Sequence, residues 1–155
     1  MKSTDLSTAE ARFFSIKPNL LGGRFLFYFG PWDRMAELKA WYLSYGLEDP
    51  HDRIKDHCTN GLPDAERYDG QVFDPYPGHP LLCLKGVPHT PKEIGILVHE
   101  IHHAVQRWTE GLGIFTNRNS EEIFAYVEGL LADAVLDYLW HGIPIPGLEP
   151  DDQNP

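Results

Sequence analysis

Thr90-Pro-Lys-Glu-Ile-Gly-Ile-Leu-Val-His99-Glu-Ile-His-His103-Ala-Val-Gln-Arg-Trp108 reads as one amphipathic helix that carries His99-Glu100-x-x-His103. A helix turns about 100° per residue, so Ile94, Leu97, Val98, Ile101, Ala104, Val105 and Trp108 share one side and form a stripe fit for burial. His99 and His103, one turn apart, lie above one another on another face, where two imidazoles can reach a single ion. Glu100 projects from the rim beside them. The start is specified locally: Thr90 suits the N-cap, Pro91 the first helical position, and Glu93 completes a capping box by reaching back to the cap.

On the N-terminal side, Tyr68–Phe73 and His79–Lys85 have the composition of two short strands joined through Asp74-Pro-Tyr-Pro-Gly78. Pro75, Pro77 and Pro80 remove ladder donors, which places these strands at or near a sheet edge. An edge of that kind can take up an extended substrate as an extra strand. On the C-terminal side, a loop with two glycines leads to a second helix over Ser120–Trp140, with Ile123, Val127, Leu130, Leu131, Ala134, Tyr138 and Leu139 as its apolar surface. Ala125, Gly129 and Ala132 make a low-relief strip on another side. A mid-helix glycine costs about 1 kcal/mol relative to alanine, so Gly129 predicts close approach by the first helix.

Further out, Arg24–Phe29 is an aromatic run between glycines and predicts a buried strand. Asp33 can cap a helix whose inner stripe is Met35, Leu38, Trp41, Tyr42 and Tyr45, with Gly46 as its stop. Leu47–Arg67 is polar and broken, a long loop whose His51, His57 and Cys58 fit no tetrahedral spacing and read as solvated residues. Residues 1–12 are polar, with one helical turn at most over Thr8–Arg12, and residues 141–155 read as a Pro-rich exposed tail. The predicted organisation is a single α+β domain over residues 1–140: a small mixed sheet packed on the histidine helix and on a following glutamate helix.

Composition narrows the function classes. The chain has 155 residues and a formal charge of −10, which argues against nucleic acid or an anionic membrane as the main partner. Two cysteines, Cys58 and Cys83, point to thiols in a reducing compartment. The first residues contain no apolar signal core and no run approaches a membrane span, so the expected location is the cytoplasm.

A catalytic zinc takes three protein ligands and keeps one position open. His99 and His103 therefore need a partner, and Glu122, with eighteen residues between it and His103, is the choice; Glu121 points about 100° away and is the alternative. Glu122 would also suit the positive end of the second helix, or a capping box with Asn119 as its cap. His102 points 60–100° away from the histidine pair and reads as a core-boundary residue. Tyr68 and His89 read as structural, and Trp32, Trp41, Trp108 and Trp140 as core material rather than a binding platform.

His99-Glu-Ile-His-His103 followed by Glu122-Ile-Phe-Ala-Tyr-Val-Glu128 resembles the gluzincin metallopeptidases, in which HExxH and a glutamate on a following helix bind zinc. It is most similar to the small single-domain members, the minigluzincins, and to the small metallopeptidases encoded by bacteriophages. The similarity covers about residues 68–140. It implies a zincin-like fold with an edge strand over the site cleft, Zn2+ on His99, His103 and Glu122, and Glu100 as general base in peptide-bond hydrolysis. Larger gluzincins steady the oxyanion with a Tyr or His from a further C-terminal region, and Tyr126 is the residue here for that role; it could instead hold a ligand histidine. A protein or peptide substrate follows. Two alternatives stay open: a non-catalytic zinc-stabilised interaction module, and a regulatory peptidase that cleaves a repressor-like partner.

Overall fold

The computed structural model describes residues 12–18, 22–30, 69–76, 78–115 and 117–141. The predicted helix over Asp33–Gly46, the loop over 47–67, Cys58 and the tail beyond residue 141 lie outside them.

Four strands form one mixed sheet in the order β1-β2-β4-β3, with β1 at Arg12–Ile16, β2 at Phe25–Phe29, β3 at Gly70–Tyr76 and β4 at His79–Leu84. β1 pairs antiparallel with β2, β2 parallel with β4, and β4 antiparallel with β3. Two helices follow, α1 over Pro91–Gly111 and α2 over Glu121–His141. Among the described residues this is the α+β arrangement of a small mixed sheet with two helices.

Strand β2 is Phe-Leu-Phe-Tyr-Phe and is buried along its whole length, as its composition predicts. β1 is an addition: Arg-Phe-Phe-Ser-Ile is too short to carry a clear pattern, and it owes its strand state to pairing with β2, where Phe14 stacks on Phe27 at 4.7 Å. The Asp74-Pro75-Tyr76 segment, predicted as part of a connecting turn, instead continues β3 across a register shift between Phe73 and Tyr76. A bulge accommodates a proline that cannot donate to the ladder. β3 is the edge strand, whereas β4 is internal. Pro80 is tolerated there because parallel pairing with β2 begins one residue later, at Leu81.

α1 lies against β4 and β3 and turns Leu97, Ile101, Ala104, Val105 and Trp108 into the core with Phe14, Phe25, Phe27 and Leu82. Its capping box is formed: Glu93 N–H donates to Thr90 Oγ1 at 3.3 Å, and Thr90 N–H donates to Glu93 Oε2 at 3.0 Å. Trp108 ties this helix to the sheet's far connection by donating from Nε1 to the Gly22 carbonyl at 3.0 Å. Gly23 has φ +88°, and a Cβ there would fall 2.2 Å from the Gly78 oxygen, so only glycine lets that connection pass.

α2 buries Val127, Leu131, Ala134 and Val135. Gly129 is exposed and nothing approaches within 4 Å of where its Cβ would lie, so the low-relief strip does not face α1. Burial of the larger side chains sets the helix rotation; Ala125 and Gly129 turn outward while Ala132 packs against the core. Ile123 and Trp140, expected on the apolar surface and in the core, are exposed, as is Val98 on α1. Among the described residues no helix is long and apolar enough to cross a membrane.

Candidate metal centre on the outer face of α1

The core stripe of α1 leaves His99 and His103 on the opposite side, both exposed. Their Nε2 atoms are 3.1 Å apart and the rings stand nearly perpendicular, at 86°. Two nitrogens at this distance either share a proton or direct their lone pairs at one cation. Two imidazoles about 2.0–2.1 Å from a zinc at a tetrahedral angle would hold their nitrogens about 3.3 Å apart, so the pair needs to open by only tenths of an ångström. Partial burial lowers the pKa of His103, and the charges of His99, His102 and Arg107 lower it further. An imidazole kept neutral is the form that can ligate.

Each flank of the pair meets a different element. On one side Glu100 turns toward the sheet and is buried, with 8% exposure, rather than standing on the rim as helical geometry alone predicts. The reason is β3: a Cβ on Gly70 would lie 2.8 Å from Glu100 Cγ and 3.1 Å from Ile96 Cγ2. The edge strand thus rests on the stem of Glu100. Burial pushes the Glu100 carboxyl pKa up, with the charge of His99 working against that shift. Strand and helix enclose an open cleft of about 360 Å³ lined by Asp69 and Gly70 on one side and by Lys92, Ile96, His99 and Glu100 on the other. Asp69 pairs with Lys85 at 3.2 Å and reaches Lys92 at 4.0 Å.

On the other side His102 meets α2. Its Nδ1 is 2.5 Å from Glu128 Oε1, and its ring lies 5.4 Å from that of Phe124. It is a half-exposed strut between the helices rather than a core residue. Glu128 is therefore an acidic side chain of α2 that reaches α1. Glu122 and Glu121 are exposed at the first turn, and Glu122 falls roughly opposite the buried side of α2. Tyr126, 61% exposed, also points outward. The structure brings His99 and His103 together, sets Glu100 beside His99 in the cleft, and leaves Glu122 and Tyr126 on the solvent side of α2. Among the described residues no three His, Cys, Asp or Glu side chains gather closely enough to hold a metal ion.

His89 is engaged structurally, its Nδ1 2.9 Å from the Val87 carbonyl and its N–H donating to Glu93. Cys83 is a thiol buried in β4, and Tyr68, His51 and His57 lie outside the described residues. Gly70 and Glu128 are the neighbours that sequence reasoning did not place at the site. A glycine inside a strand is a recognised sign of close approach by another group, and Gly70 carried it; nothing local marked Glu128. No protein-family model, no curated protein and no solved structure matches this chain.

Proposed function

We propose that the chain is a zinc-dependent metallopeptidase of zincin-like fold, working in the cleft between β3 and the outer face of α1. The observation that carries this is the pair of Nε2 atoms 3.1 Å apart beside a buried carboxyl at an edge strand. His99 and His103 hold the metal, and a carboxylate from α2 completes the set. Glu122 is the ligand that the gluzincin-like spacing supports, while Glu128 is the carboxylate already in contact with α1.

Zinc in such a site supplies an acidified water and polarises the substrate carbonyl. Glu100 takes the proton of the attacking water and hands it to the departing amine, a task suited to a carboxyl whose pKa burial has raised. The outer side of β3, the edge strand among the described residues, aligns an extended peptide across the cleft. Tyr126 steadies the oxyanion only if α2 turns it toward the cleft.

Zinc content and peptide-library cleavage test this assignment. Wild type should hold about one zinc per chain. His99→Ala and His103→Ala should lose it, and whichever of Glu122→Ala and Glu128→Ala lowers it is the third ligand. Glu100→Gln should keep the zinc and abolish cleavage. A wild-type chain that binds no zinc, or a Glu100→Gln variant that cleaves at the wild-type rate, overturns the assignment.

A further inference from the structure

We infer that Gly70 is the positioning residue for Glu100, an inference that rests on the peptidase reading above for its catalytic meaning. Gly70 is buried at the first position of β3, where it pairs with Leu84. A methyl group added there would lie 2.8 Å from Glu100 Cγ, 2.8 Å from Leu84 Cδ2 and 3.1 Å from Ile96 Cγ2. These neighbours do not yield equally. Leu84 Cδ2 is the far end of a side chain with alternative rotamers, whereas Glu100 Cγ is mid-stem. Moving Cγ by a few tenths of an ångström swings the carboxyl at its end by more.

The absent side chain thus does two things: it lets the edge strand close on α1, and it fixes where the Glu100 carboxyl sits in the cleft beside His99. The three atoms nearest to the added methyl group are carbons of Glu100, Leu84 and Ile96, so the substitution should act first on the Glu100 stem and leave zinc content unchanged. A general base is sensitive to placement, since a misplacement of about 1 Å can cost about 100-fold in rate.

Gly70→Ala is measured alone and in the Glu100→Ala background, in two assays. In thermal unfolding, Gly70→Ala should lower Tm by about 5 °C, and a clear part of that loss should disappear when Glu100 is already alanine, because the collision with Glu100 Cγ is gone while that with Leu84 Cδ2 stays. In peptide cleavage, Gly70→Ala should lower kcat by about 10-fold or more with KM and zinc content unchanged. A Tm loss equal in both backgrounds, or unchanged kcat in a folded, zinc-loaded variant, overturns the inference. Failure of the peptidase reading looks different: wild type itself is then inactive, and the Tm cycle still decides whether Gly70 bears on Glu100.

Discussion

Trp108 shows how one side chain can hold a sheet and a helix together. It is fully buried at the C-terminal end of α1, its ring 5.2 Å from that of Phe25, with its only polar atom donating to Gly22. Trp108→Ala removes the largest fully buried side chain among the described residues, and losses of this type run to about 3–5 kcal/mol. Trp108→Phe keeps much of the apolar area and sacrifices the indole hydrogen bond, for about 1–2 kcal/mol. Urea unfolding of the two variants checks the order, and equal losses would assign the role of Trp108 to the hydrogen bond alone. Its burial was legible from the 3.6-residue stripe, as was that of Leu97, Ile101, Ala104 and Val105. Glu100 was not. Its burial depends on Gly70, thirty positions away, and helical geometry alone leaves a carboxylate at that angle on the rim.

At the scale of elements, α1 was legible because its signals are local. Thr90, Pro91 and Glu93 specify its start within four residues, and the capping box forms as the letters imply. The pKa of Glu93 is lowered, first by the His89 backbone N–H that its carboxylate accepts, then by the N–H and hydroxyl of Thr90. The folded pKa therefore lies below the unfolded one, and the ionised group stabilises the fold. That contribution is whole above the ordinary carboxyl value, about 4.3, and is lost as pH falls through the folded value. Glu93→Gln should be less stable than wild type at pH 7, and the gap should close on acidification below about pH 4; a gap independent of pH would mean the charge contributes nothing. Thr90→Ala should cost about 1 kcal/mol at pH 7, measured by the same urea titration, and less in acid, where its hydroxyl no longer stabilises an ionised Glu93. β1 was not legible, because it is decided by pairing with β2, distant in sequence; α2 was legible in part, since Val127, Leu131 and Ala134 of its predicted apolar surface are buried while Ile123 is exposed. That burial turns Glu122 outward and brings Glu128 to His102.

For the whole molecule, the placement of the histidines predicts what metal removal does to stability. In a structural zinc site the ligands stand in for a core, and such a domain unfolds when the ion is chelated. Here the apolar side of α1 is already packed on the sheet through Leu97, Ile101, Ala104, Val105 and Trp108, and the histidine pair stands on the far side of the helix. Folding should therefore not depend on the ion. On the zinc reading proposed above, the ion would add only the linkage free energy of a ligand that binds the native state, about 2.7 kcal/mol at a hundredfold excess over Kd. For a chain of this length that corresponds to about 5–10 °C in Tm. Melts in zinc and in EDTA should differ by that amount, with the far-ultraviolet circular dichroism of the chelated protein at 25 °C unchanged. His103→Ala should abolish the difference without unfolding the chain, since its side chain lies outside the core. Loss of helical signal on chelation would instead make the metal part of the scaffold and would favour a zinc-stabilised interaction module over a hydrolytic centre built on a finished fold.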